Sequence, residues 1–194
     1  MSLLPPTKTA WRQRLKRHLH DAAVPRAADL SFAPGLEAVL PAAGEWAAAY
    51  LSMADEPPVG GLLQLLAARE IRLLVPAPGP SFRELAWAEV ETATCALPAA
   101  VPGVLPSPPG PRLDPSALAR CRLILAPALA VDRSGTRLGR GGGWYDRALA
   151  WADPDALVLG VCFPWELLPA GSLPREPHDR PVHGALTGLG VTLF

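Results

Sequence analysis

Apolar positions in this chain fall into short runs separated by polar and proline-rich joints. Trp11, Leu15 and Leu19 recur every fourth residue through the basic segment Thr7 to His20, which predicts a helix with one apolar stripe. Ala47 to Met53 reads as a buried strand. Val59 to Arg69 reads as a helix, with Asp55 as its N-cap and a proline in the first turn. Ile71 to Val75 predicts a second strand ending at Pro76, and Glu84 to Val90 a third. Residues 98 to 115 hold seven prolines, so they form neither a helix interior nor a central strand; they are a linker or an ordered loop over the sheet. Asp114-Pro115 then opens a short helix to Arg120. Arg122 to Val131, the most apolar run, predicts the central strand. A glycine-rich loop, a helix from Gly143 to Trp151, a strand from Ala156 to Val161 and an edge strand within Ala185 to Phe194 complete the series. Short apolar strands alternating with helices predict an α/β fold: a three-layer α/β/α sandwich with a mostly parallel central sheet.

Composition narrows the function. A length of 194 residues predicts a single domain spanning 1–194. Eighteen basic against eighteen acidic residues give no net charge, which argues against a nucleic-acid partner. No apolar stretch reaches the roughly 18 residues of a membrane span. Met1 to Pro6 lacks a signal-peptide layout. Cys95, Cys121 and Cys162 are odd in number and form no CxxC pair, so reduced thiols in a cytoplasmic protein are expected. Lys8 and Arg12 lie four apart on the basic helix. They belong either to a solvated face or to an arm that grips a polyphosphate.

The chemistry concentrates in Asp132 to Arg147, between a predicted strand and a predicted helix. Four glycines occupy Gly139 to Gly143, where missing side chains let backbone amides approach a ligand. Arg137 and Arg140 add guanidinium forks suited to phosphate. The loop is a flexible turn or a polyphosphate cradle. It is not a Walker loop, because no Lys-Ser or Lys-Thr follows the last glycine, and Trp144 breaks the dinucleotide fingerprint. Asp146 either complements the start of the helix or supplies oxygen to Mg²⁺. In Glu176 to His183, Asp179 is another candidate metal oxygen, whereas His178 and His183 match zinc spacings poorly.

Arg137 to Asp146, R-L-G-R-G-G-G-W-Y-D, resembles the signature loop of the 5-formyltetrahydrofolate cyclo-ligases, also called 5,10-methenyltetrahydrofolate synthetases. The basic helix with Lys8 and Arg12, the Tyr50-Leu51-Ser52-Met53 strand ending with Glu56, the Pro76 strand end and the His178-Asp179 loop follow in family order. The resemblance implies a cytoplasmic, monomeric enzyme that uses ATP and Mg²⁺ to convert 5-formyltetrahydrofolate into 5,10-methenyltetrahydrofolate, ADP and phosphate. It implies ATP binding by Lys8, Arg12, Arg137, Leu138, Gly139, Arg140, Gly141, Gly142, Gly143, Trp144 and Tyr145. It implies folate contacts at Leu51, Glu56, Arg140, Gly141, Gly142, Gly143 and Trp144, catalytic roles for Arg140, Trp144 and Tyr145, and magnesium at Asp146 and Asp179. If the sheet is parallel, those two carboxylates are expected to converge on one ion. Three positions depart from the family pattern: Trp144 where many members have Tyr, Gly142 where some have Lys, and His183 where an acid is common. A non-catalytic nucleotide- or folate-binding relative, and an α/β sugar-phosphate enzyme that needs no ATP, are the competing readings.

Overall fold

A computed structural model describes residues 7–21, 29–53, 55–79, 81, 84–90, 108 and 110–194. Helix α1 (Lys8–Asp21) comes first, then β1 (Trp46–Ala48), α2 (Gly60–Ala68), β2 (Arg72–Pro78), β3 (Leu85–Val90) and β4 (Arg112–Leu113). A 3-10 helix at Pro115–Arg120 leads into β5 (Cys121–Pro127), β6 (Ala130–Asp132) and β7 (Arg137–Leu138). Helix α3 (Trp144–Ala148), β8 (Leu157–Val161), β9 (Leu167–Leu168), β10 (Gly184–Thr187) and β11 (Gly190–Leu193) complete the order.

Eight strands form one sheet in the order β11-β10-β8-β5-β1-β2-β3-β4. From β10 to β2 the neighbours run parallel, and the sheet is extended antiparallel at both ends. The parallel strands are apolar on both faces because both faces are covered. Ala47, Leu73, Leu123, Leu125 and Leu159 pack beneath Leu62, Leu63 and Leu66 of α2. Ala48, Leu74, Ile124 and Val158 pack on the other side against Ala117, Leu118, Ala148 and Leu149. This is the expected α/β/α arrangement, with one outer layer built largely of 3-10 turns. A separate sheet, β7-β6-β9, supports α1: Trp11 and Leu15 bury against Leu129, Leu138 and Leu173.

Several boundaries differ from the sequence reading, each for a local reason. The expected central strand splits, because Pro127 has no amide to donate and β6 leaves for the second sheet. Strand β1 ends at Ala48, so Tyr50 to Met53 are loop. Asp55 is not the cap of α2: Val59 holds that position, and its amide donates to Ser52 Oγ at 2.9 Å. The helix expected to reach Trp151 has only five α-helical residues before a 3-10 turn. The expected single edge strand is a hairpin, with β10 inserted beside β8 and only β11 at the edge. Asp114 does cap the turn that follows it, accepting from the Ser116 amide at 2.8 Å. Cys95 and most of the proline-rich stretch 98 to 115 lie outside the described residues.

Candidate active site

A cavity of about 670 Å³ opens at the carboxyl ends of the parallel strands, where Tyr50 and Leu51 leave β1, Pro76 nears the end of β2 and Pro127 ends β5. Ligands of open α/β sheets bind at this edge. Lys8, Arg12, Leu51, Glu56, every residue from Arg137 to Asp146, and Asp179 all line it. Tyr50, Glu176 and His178, given no role from sequence, line it too. Tyr50 is anchored by its hydroxyl, which donates to the Pro57 carbonyl at 2.8 Å.

Arginines from four positions shape the glycine loop. Arg12 Nε donates to the Gly139 carbonyl at 2.8 Å, and Arg147 Nη2 to the Gly142 carbonyl at 2.9 Å. Arg137 is buried, with Nη1 3.1 Å from the Pro127 carbonyl and Nη2 2.9 Å from Asp146 Oδ1. Arg140 reaches across to the β1–α2 loop, with Nε 2.9 Å from Glu56 Oε1 and Nη2 on Asp55. Among the described residues, the amides of positions 139 to 143 donate to no protein acceptor. Gly141 and Gly143 sit at φ +98° and +65°, a region other residues enter only at a cost. The cradle therefore rests on free amides and guanidinium groups, with little from the dipole of a five-residue helix.

Two departures from the family pattern are physically linked. A Cβ at Gly142 would overlap Cδ1 of Trp144, so the indole occupies the room a side chain there would need. His183 lies off the cavity wall and serves β8: its Nδ1 accepts from the Val158 amide at 3.0 Å.

Glu56 is almost fully buried, and its Oε2 accepts from the Met53 amide at 2.9 Å. Two polar atoms in the wall, the Tyr145 hydroxyl and Arg137 Nε, are buried with no protein partner among the described residues. Burial pushes the Tyr145 phenol far above its ordinary value, and the nearby Glu56 carboxylate adds to this, so it is a neutral donor.

Asp146 and Asp179 share the cavity but face different cations. Asp146 Oδ1 bonds Arg137, leaving Oδ2 available. Asp179 bonds Lys8 through Oδ1 and the Glu176 amide through Oδ2 at 2.7 Å. Burial is the largest single influence on Asp179 and Lys8 and opposes both charges, but their mutual hydrogen bond, the bonds each makes to Glu176 and the attraction between the charges together outweigh it, lowering the Asp179 value and raising that of Lys8. Among the described residues, Glu176, His178 and Asp179 bring potential metal ligands within 4.8 Å of one another, a group that does not include Asp146.

One buried acid went unnoticed in the sequence. Glu166 Oε2 accepts from the Phe163 amide at 2.8 Å, closing the turn after β8. Burial raises its pKa to about 8, against the opposing pull of that amide. The raised folded-state value favours the protonated form. Stability is therefore full below the ordinary glutamate range and is lost as pH rises toward about 8. Glu166→Gln removes the charge and keeps an acceptor. It is expected to stabilise the chain by about 2–4 kcal/mol at roughly pH 9 and by little at roughly pH 5. Equal melting-temperature shifts at both pH values would contradict a protonated Glu166.

An open α/β sheet with a cavity at its carboxyl edge, lined by Lys8, Arg12, Arg137 and Arg140 together with Glu56, Asp146 and Asp179, has the layout of the α/β enzymes. Within that class the chain belongs to the 5-formyltetrahydrofolate cyclo-ligase family, whose model matches residues 5–188. It is 40% identical over 152 residues, 74% of each chain, to the 5-formyltetrahydrofolate cyclo-ligase of Mycolicibacterium smegmatis. It is 37% identical over 79 residues to the mitochondrial 5-formyltetrahydrofolate cyclo-ligase of Arabidopsis thaliana, a match covering 36% of this chain and 28% of that one. The fold matches the 5,10-methenyltetrahydrofolate synthetase of Aquifex aeolicus, with a TM-score of 0.68 and 24% identity over 96% of this chain and 92% of that one.

Proposed function

We infer that the chain, acting as one unit over 1–194, converts 5-formyltetrahydrofolate and ATP into 5,10-methenyltetrahydrofolate, ADP and phosphate. The observation that carries this is one cavity joining a run of free amides and guanidinium groups to a buried carboxylate, Glu56. An N-formyl amide is a poor electrophile because resonance deactivates its carbon. Transfer of the γ-phosphoryl group from ATP to the formyl oxygen converts that oxygen into a leaving group. The N10 amine of the same folate attacks the activated carbon, phosphate departs with the C–O bond electrons, and N10 loses its proton. Both reactants are held in one cavity, so the protein supplies positioning and charge stabilisation.

In this reading the amides of 139 to 143, with Lys8, Arg12, Arg137 and Arg140, take the polyphosphate, and Leu138 lines its path. Glu56 accepts from the amino-pyrimidine edge of the pterin, and Leu51 and Trp144 cover its rings. The Tyr145 hydroxyl and Arg140 act on the reacting oxygens. Mg²⁺ fits Asp146, whose second oxygen has no protein partner among the described residues. Asp179 joins it only by yielding Lys8 or through water, because both its oxygens are engaged. When bound, the ion neutralises charge on the transferred phosphoryl group. In this reading the chain is a cytoplasmic monomer without nucleic-acid or membrane partners; zero net charge argues against a nucleic-acid partner.

The test follows methenyl-folate absorbance with the purified chain, 5-formyltetrahydrofolate and Mg²⁺. Product is expected only when ATP is present, with one ADP per product. Equal cyclisation without nucleotide would overturn the reading.

A further inference from the structure

Arg140 carries two carboxylates on one guanidinium, and only one of them belongs to the cavity. Glu56 lines the wall, with 6% of its side chain exposed, and receives Nε at 2.9 Å. Asp55 is not among the cavity-lining residues, is 44% exposed, and receives Nη2. The contact of Asp55 with the cavity wall in this structure runs through Arg140. Its neighbour in sequence and its partner in space are both cavity groups, yet it does not itself line the cavity.

The two acids have different fates once the cavity fills. On the functional reading above, pterin donors take the Glu56 oxygen that now holds Nε. A guanidinium has five N–H donors in a fixed fork, so losing one acceptor leaves the rest free to turn. If Glu56 were its only acid, Arg140 would leave with the phosphates and swing within a glycine loop that packs little around it. Asp55 prevents this, because it keeps Nη2 on the β1–α2 loop while Nε and Nη1 turn to the reacting oxygens.

We propose that Asp55 is a positioning residue, which holds Arg140 at the seam between the pterin and polyphosphate halves of the cavity while Glu56 changes partners. This rests on the cyclo-ligase reading. It explains why an acid expected from sequence to cap a helix leaves that position to Val59 and bonds an arginine in a distant loop instead.

The experiment compares the full chain with Asp55→Asn, Arg140→Ala and the double variant. Cyclisation gives kcat and KM, and adenylyl imidodiphosphate with Mg²⁺ gives nucleotide affinity. Asp55→Asn is expected to lower kcat about 10-fold, because a misplaced charge loses most of its effect on a transition state. The KM for folate is expected to change less than about 3-fold, since Asp55 touches no substrate. In the Arg140→Ala background, Asp55→Asn is expected to cost nothing further. Asp55→Glu, which restores the charge, is expected to recover part of kcat; a role in folding alone would not show this pattern. An unchanged kcat, costs that multiply in the double variant, or a loss confined to the folate KM would each overturn the proposal. Should Asp55→Asn fail to fold, Asp55→Ser is read by the same criteria. An inactive wild-type chain overturns the cyclo-ligase reading and this proposal together, whereas an active one with an indifferent Asp55 overturns this proposal alone.

Discussion

Asp132→Ala is expected to destabilise the chain by about 3–5 kcal/mol and to lower its melting temperature by about 10 °C. Asp132 is completely buried at the end of β6. Its Oδ1 accepts from the Ser134 amide at 3.0 Å, the Ser134 hydroxyl at 2.6 Å and the Thr136 amide at 3.2 Å. Its Oδ2 accepts from the Leu173 amide at 3.0 Å. Alanine would strand the buried Thr136 and Leu173 amides and release the exposed Ser134 to solvent, and unsatisfied buried donors cost more than a hydrogen bond gains. The damage would spread, because the β6–β7 turn sets where Arg137 and the glycine loop begin. Asp132→Asn should fall between the two, since its amide group can satisfy the Ser134 side or the Leu173 side but not both. A thermal unfolding series showing alanine within about 1 kcal/mol of wild type would refute this hub.

Gly141→Ala is expected to cut kcat/KM about 100-fold while costing no more than about 2 kcal/mol of stability. Gly141 has φ +98°, and a Cβ there would lie 3.2 Å from Arg12 Cζ. An alanine must therefore rotate its peptide or push Arg12 away, and Arg12 is the group that holds the Gly139 carbonyl. Either response turns amides out of the cavity. The stability cost is small because the loop contributes little to the core, but an oriented anion site loses most of its value when one peptide flips. The check pairs nucleotide affinity with cyclisation rate; retention of both in a folded Gly141→Ala variant would show that the loop amides are not the phosphate ligands.

Much of this architecture could be read from periodicity. The apolar runs at Ile71 to Val75 and Ala156 to Val161 are buried on both faces, so neither could be anything but an inner strand. The Trp11–Leu15 stripe did mark a packed helix face. Patterns failed where a single backbone atom decided the outcome. Pro127 cannot donate, and the central strand stops there although the hydrophobicity continues to Val131. Thr187-Gly188-Leu189-Gly190 alternates well enough to pass for strand, but its glycines turn the chain into a hairpin. The site residues were visible as types in one loop and three outlying segments. Their pairing was not, because nothing in spacing shows that Lys8 meets Asp179, Arg137 meets Asp146 and Arg140 meets Glu56. Asp132 and Glu166 were overlooked for a related reason: a buried acid satisfied by amides looks like any surface acid in a sequence.

Lys8 and Asp179, 171 positions apart, give the cavity an order of assembly during synthesis. Arg12 must wait for Gly139, 127 positions later, and Glu56 for Arg140, 84 positions later. Strand β1 can pair with β2 and β5 while the rest of the chain is still inside the ribosome. In that interval, the basic first helix has neither its carbonyl partner nor its acids, and its apolar stripe has no second sheet to cover it. Contacts this distant in sequence form late, since loop closure must precede their gain. A nascent chain halted before Ala128 would carry β1 to β5 but no second sheet, leaving Trp11 and Leu15 without the Leu129, Leu138 and Leu173 that bury them, a surface for chaperones to recognise.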